Sequence, residues 1–312
     1  MKLVLSLISL VAGVLVPSAS HQLSIPSAAS LDSGFAAAIQ SDVASSTYDP
    51  YIREELWVTG DVTHVDGTSV VGYYGFPHGA FVTSSPGSSS FTVLPGAYGT
   101  DYWDGSPNPA HYYQQVPNWS DGTYFWASFP VISGDTLNVI GERIQGVSPF
   151  TVLGSYDAQF NATTLAYEGI IAVSGTSGDA WSGIAQVSGG WWLTSQQGDV
   201  AFVPSGDIGV PAEWVLYPGS APATAGSWPV KENGQYQLFC AVYGGADAEE
   251  YTSSSMTGTW TGPADILTLP QPQTDGGIIV HQDLPAPSGE ILISWDVNNS
   301  TTYDPEFAYV QS

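Results

Sequence analysis

Five glycines, Gly67, Gly134, Gly189, Gly234 and Gly289, constrain what this chain can fold into. Each lies between a short apolar segment and a second, strongly β-forming one. The five copies run Val62–Tyr74, Phe129–Ile140, Trp181–Leu193, Trp228–Phe239 and His281–Ser294. Asp66-Gly67, Gly134-Asp135, Gly189-Gly190 and Asn233-Gly234 are dipeptides suited to two-residue hairpins, because those turns need positive φ. The glycines are 67, 55, 45 and 55 residues apart, which leaves room for one four-stranded sheet per repeat. Elsewhere after residue 50, runs of Val, Ile, Tyr, Trp and Thr are cut by Gly, Pro, Ser, Asn and Asp, without a helical period. Similar hairpins at this spacing predict closure into a ring, which hides strand edges that a stacked sandwich would leave open. The expected fold is all-β: a five-bladed β-propeller forming a single domain over residues 51–312.

The segments before it read differently. Residues 1–20 carry Lys2, an apolar run from Leu3 to Val16 and the small residues Ser18-Ala19-Ser20, the pattern of a cleaved signal peptide. Residues 21–50 are Ser/Ala-rich and lack the repeat, so they are expected to be an extended arm or a ring-closing segment. The expected location is outside the cell or in the secretory-pathway lumen. The remaining basic residues are Arg53, Arg143 and Lys231, against 29 acidic residues in a chain of net charge −25. That balance repels nucleic acid and, after signal cleavage, anionic membranes. Cys240 is the only cysteine, so no intramolecular disulfide can form, and its apolar strand predicts a buried structural thiol. Asn118, Asn161, Asn298 and Asn299 stand in N-x-Ser/Thr sequons, where a secreted chain is expected to carry surface glycans.

In a propeller, the innermost strands line a central channel whose mouth takes ligands. If the first strand of each hairpin is innermost, several residues near its start converge there: Asp61, His64, Trp126, Ser128, Phe129, Trp181, Trp228, His281, Gln282 and Asp283. The far ends of the partner strands add Tyr73, Tyr74, Arg143, Gln196, Tyr243 and Trp295. Such a lining suits a flat or apolar ligand held by a few polar groups. The competing reading is that the tryptophans pack between blades. His64 and His281 each stand near an acid, in Asp61-x-x-His64 and His281-Gln-Asp283. Arg143, in Gly141-Glu142-Arg143, either pairs with Glu142 or another acid or holds a ligand oxygen. No clustered ligand spacing predicts a metal, and no phosphate loop, nucleophile elbow or protease triad motif is present. No cofactor is expected.

Several stretches in order resemble secreted five-bladed propellers related to microbial endo-D-arabinanases. They are Gly60-Asp-Val-Thr-His-Val-Asp-Gly67, Val131–Ile144, Thr257–Pro263, His281–Asn298 and Tyr303-Asp-Pro-Glu-Phe307, covering most of residues 57–310. The resemblance implies a propeller with carboxylates at the channel mouth, carried over onto Asp61 and Asp283. Glycoside cleavage needs one acid and one base or nucleophile. The chain departs from the hydrolase pattern at Gly75-Phe76, where an acid would follow the glycine. In layout it also resembles the fungal hetero-Diels–Alderases of tropolone-sesquiterpenoid pathways. That resemblance implies dehydration to a quinone methide, with His281, Asp283, His64 or a tyrosine as proton donor, and cycloaddition with a terpenoid among stacked aromatics. Arg143 or a tyrosine would stabilise the carbonyl. The sequence-based expectation is this cycloaddition enzyme of secondary metabolism, acting on a small aromatic or terpenoid substrate. A glycoside hydrolase and a lectin-like carbohydrate-binding propeller are the alternatives.

Overall fold

The computed structural model describes residues 58–63, 70–74, 80–84, 92–93, 116–146, 151–173, 181–204, 208–224, 227–241, 247–269, 278–282, 286–298 and 303–311. For 58–93, 227, 296–298 and 303–306 it describes the backbone alone.

Every described sheet is antiparallel and built from consecutive strands. The first runs β1 (Val58–Thr63), β2 (Val70–Tyr74), β3 (Ala80–Ser84) and β4 (Thr92–Val93). The second runs β5 (Tyr124–Ser133), β6 (Thr136–Gln145), β7 (Thr151–Asn161) and β8 (Tyr167–Ala172). β9 (Trp181–Val187), β10 (Gly190–Ser195), β11 (Val200–Pro204) and β12 (Val215–Tyr217) make the third. The fourth holds β13 (Ser227–Glu232), β14 (Gln235–Ala241), β15 (Asp247–Ser253) and β16 (Thr261–Thr268). A last sheet has three strands, β17 (Ile279–His281), β18 (Glu290–Asn298) and β19 (Tyr303–Gln311).

The chain is therefore an all-β propeller, with a correction to the blade count. Among the described residues four sheets have the four strands of a full blade and the last has three, so the expected five full blades are corrected to four. The inner strands touch in chain order, β1 to β5, β5 to β9, β9 to β13 and β13 to β17, and β17 returns to β1. The first strand of each predicted hairpin is thus the innermost one.

The hairpins form where the turn residues allow. Asn233 and Gly234 both have positive φ, 48° and 82°, and link Glu232 to Gln235 across β13 and β14. The turn between β9 and β10 sits one residue earlier than the sequence suggests. Val187 pairs with Gly190, so Ser188-Gly189 form the loop and Gly190 opens the strand. A Cβ on Gly190 would collide with the Val203 carbonyl oxygen, so this glycine serves the close approach of β11.

Neighbouring blades cover both faces of the middle strands, which removes the alternation expected of a half-exposed strand. On β6, Leu137 and Val139 join Phe125, Ala158 and Phe160 in one apolar cluster, while Ile140 joins another with Phe129, Trp181, Trp228 and Trp295. Phe129 of the second blade and Trp228 of the fourth meet edge to face, with ring centroids 5.9 Å apart. Their strands are separated in the ring by β9, so this contact fills the middle of the propeller at that level.

Candidate functional site

Each inner strand begins at the end of the propeller where its antiparallel partner finishes. That end gathers the starts of β5, β9, β13 and β17 with the ends of β6, β10, β14 and β18. The aromatics expected there are present, but most are packed inward. Phe129, Trp181, Trp228 and Trp295 are only 0%, 1%, 4% and 1% exposed. Trp181 lies edge to face with Trp214, centroids 5.7 Å apart. In this structure all four belong to one buried apolar cluster. Trp126 stays half-buried and Gln196 is exposed in the turn after β10.

Arg143 takes one of its expected roles, pairing with an acid other than Glu142. Alternation along β6 places it on the face opposite Glu142, so the two do not pair. Its guanidinium lies 4.8 Å over the Trp119 ring, donates from Nε to Thr123 Oγ1 at 2.8 Å and bridges to Asp121. Hydrogen bonds from the Thr123 hydroxyl and backbone N–H hold the Asp121 carboxyl below its ordinary range. This cation belongs to a surface cluster, where its charge is already engaged.

His281 is buried on β17. Its Nε2 lies 2.7 Å from Ser294 Oγ, and its ring tilts against Phe307 at a centroid distance of 5.5 Å. At 1% exposure the imidazole is enclosed in the last sheet rather than presented to a ligand. Asp61, Tyr73 and Tyr74 lie on β1 and β2, described as backbone only, and Asn298 ends β18 in the same way. His64, Tyr243, Asp283 and Asn299 lie outside the described residues. Asn161 closes β7, where its Oδ1 accepts from the backbone N–H groups of Thr163 and Thr164; Asn118 is half-buried before β5. Cys240 is buried as expected. Burial, then the neighbouring Glu249 charge, pushes its thiol up to about 12, so it is not a thiolate at neutral pH.

Sequence reasoning missed Glu142. It stands near the end of β6, opposite Trp126 on β5 and Ser155 on β7, and is 8% exposed. Gly141 permits this arrangement, since a Cβ there would strike the Trp126 carbonyl oxygen and the Phe125 ring. Glu142 shares its face with Ile140, and hence with the interior cluster that contains Phe129 and Trp181. Burial pushes its carboxyl up from an ordinary 4.5 to about 8. It therefore keeps its proton at neutral pH, because an ion there would lose hydration. Diagonally across β7 on the same face is Asp157, fully buried and accepting from Gln159 Nε2 at 3.2 Å. Among the described residues, no group of three or more His, Cys, Asp or Glu is arranged to hold a metal ion.

No family model matches the chain, and no curated protein sequence matches it. Solved structures do resemble it. A candidate hydrolase from Bacteroides ovatus aligns over 83% of this chain and 87% of its own, at 14% identity and a TM-score of 0.60. The exo-β-1,3-galactanase of Phanerochaete chrysosporium, solved with galactose, aligns over 85% of this chain at 13% identity and a TM-score of 0.52. This chain spans 62% of the galactanase's length. A glycoside hydrolase family 43 enzyme from Xanthomonas citri, complexed with xylotriose, aligns over 88% of this chain and 92% of its own, at 10% identity and a TM-score of 0.51. At identities of 10–14% the likeness is one of fold, the β-propeller that these proteins share with this chain.

Proposed function

We propose that this protein is a glycoside hydrolase that acts on carbohydrate with carboxyl groups gathered about the propeller's central strands. The observation that carries the reading is the contact between β1 and β17. Asp61 lies on β1, and in the sequence Asp283 comes two residues after β17 ends. Hydrolysis needs two such groups at the scissile bond, about 5–9.5 Å apart across the retaining and inverting geometries. The propeller likeness to a galactanase and a family 43 enzyme supports the same chemistry. The cycloaddition reading takes second place. It is favoured by the chain's aromatic content, but it needs stacked aromatics around an open cavity, and Phe129, Trp181, Trp228 and Trp295 are engaged in packing. The proposed setting remains secretory, with the leader at residues 1–20 removed and glycans on the sequons.

Incubation with aryl glycosides and with galactan, xylan and arabinan tests the proposal. Released sugar is expected from at least one, with Asp61→Asn and Asp283→Asn each lowering kcat by about 10²-fold or more. No release across the panel would leave a carbohydrate-binding propeller or the cycloaddition enzyme in its place.

A further inference from the structure

We infer that the fourth sheet carries a binding site for Ca²⁺, built from Glu232, Gln237 and Glu250 on the face turned toward the last sheet. The site stands apart from the hydrolase reading, and neither depends on the other.

Strand register brings the three side chains together. Glu232 ends β13, Gln237 of β14 pairs with Val230 and Thr252, and Glu250 of β15 pairs with Phe239. Alternation then sets Glu232, Gln237, Thr252 and Glu250 on one face with Val230 and Phe239, in a diagonal row across three strands. Val230 and Phe239 share a buried cluster with Val280 and Ile293 of the last sheet, and β17 touches both β13 and β14. The opposite face packs through Tyr236 against Val200 and Trp192 of the third sheet. The row lies toward the Asn233-Gly234 turn, at the end of the propeller away from the strand starts. Gln237 and Glu250 stand on the second and third strands of their sheet, away from the ring's middle.

The chemistry of the row is one-sided. Glu232 Oε2 and Gln237 Oε1 are closed to solvent and have no hydrogen-bond partner. Burial raises the Glu250 carboxyl above its ordinary range, and a hydrogen bond donated by Gln237 offsets part of that rise. The same bond fixes which end of the Gln237 amide is the oxygen. Two carboxylates and an amide oxygen therefore meet with one amide NH₂ as their donor. Among the described residues the Lys and Arg cations lie elsewhere: Lys231 alternates to the opposite face, over the Tyr236 ring, and Arg143 is held in the second sheet. Enclosed acceptors without partners are costly, and one hard cation satisfies several at once. Ca²⁺ takes carboxylate and amide oxygens in irregular numbers and lets water complete the shell, whereas Mg²⁺ demands a near-ideal octahedron. Gln235, across from Glu232, is exposed and leaves an entry path at the strand end. With only two carboxylates the site should be weak, with a Kd of about 10⁻⁴–10⁻³ M. The net charge of −25 draws the cation in.

The test follows heat unfolding of the full chain by tryptophan fluorescence, after stripping with EGTA, while Ca²⁺ or Mg²⁺ is added at constant ionic strength. The wild-type midpoint is expected to rise by about 2–5 °C for each tenfold increase in Ca²⁺ above the Kd, and little with Mg²⁺. Glu232→Gln and Glu250→Gln should each weaken Ca²⁺ binding by about tenfold or more, read as a loss of that rise and by equilibrium dialysis. Glu249→Gln removes an acid from the opposite face of β15 and should keep the rise. No rise in wild type, an equal rise with Mg²⁺, or a rise that survives both ligand variants overturns the inference. A loss in Glu249→Gln as large as in Glu232→Gln also overturns it, because the effect would then belong to the acidic surface as a whole. If neither carboxylate variant folds, Gln237→Met decides, since it removes an uncharged ligand: weaker binding supports the site and unchanged binding overturns it.

Discussion

Glu142 makes a prediction about stability that needs no substrate. Its carboxyl sits at about 8 in the folded chain, against an ordinary 4.5 in an unfolded one, because burial penalises the charged form. A group raised on folding stabilises the fold fully below the unfolded value, and that contribution is lost as pH climbs through the folded value. Each pH unit between them is worth about 1.4 kcal/mol. The whole interval then amounts to about 5 kcal/mol, an order-of-magnitude figure comparable with the net stability of many domains. Glu142→Gln keeps the shape and removes the titration. Below pH 4.5 the variant should match wild type to within about 1 kcal/mol, the scale of one ordinary hydrogen bond. Above pH 8 it should be more stable than wild type by several kcal/mol. Urea unfolding followed by tryptophan fluorescence at intervals from pH 4 to 9 measures this. The acidic surface weakens both proteins alike as pH rises, so the difference between them isolates the one carboxyl. Curves that stay parallel between pH 5 and 8 would refute the buried placement.

Two further predictions concern packing. Trp228→Ala, which empties the edge-to-face contact with Phe129 in the middle of the ring, should cost about 3–5 kcal/mol in the same urea assay; a loss below about 1 kcal/mol would mean that the site is a ligand-lined opening. Cys240, enclosed and pushed up to about 12, should not react with a thiol reagent at pH 8 in the folded protein and should react completely in denaturant. Rapid labelling without denaturant would contradict the burial of β14.

How much of this was legible in the sequence depends on which physical rule applied. Turn chemistry is local, so Gly134-Asp135 and Asn233-Gly234 could be read directly, and both close the hairpins expected of them. Ser188-Gly189 was missed by one position because Gly190 looks like a turn residue, when its purpose is the approach of the Val203 carbonyl. The repeat shows where each hairpin forms, and all five repeats start a sheet; it does not show how many outer strands follow, and among the described residues the last sheet has three.

Side-chain direction was the harder problem, and it decided the site. In a half-exposed strand, alternation would have separated Glu142 from Arg143 at once. On β6 the run Val139-Ile140-Gly141 is buried on both faces, so no polar position marks the parity. Arg143, a rare cation, drew attention, while the carboxyl beside it looked like its partner. The cation is neutralised at the surface by Asp121, while the carboxyl is buried with no cation beside it among the described residues. The tryptophans misled in a related way. A large aromatic at the start of an inner strand serves a closed ring and a ligand platform equally well, and sequence cannot separate them. What separates them is whether another blade already occupies the ring's middle, and Phe129 against Trp228 shows that at this level it does. Of the aromatics expected at the strand-start end, Trp126 is the one described that keeps part of its surface open.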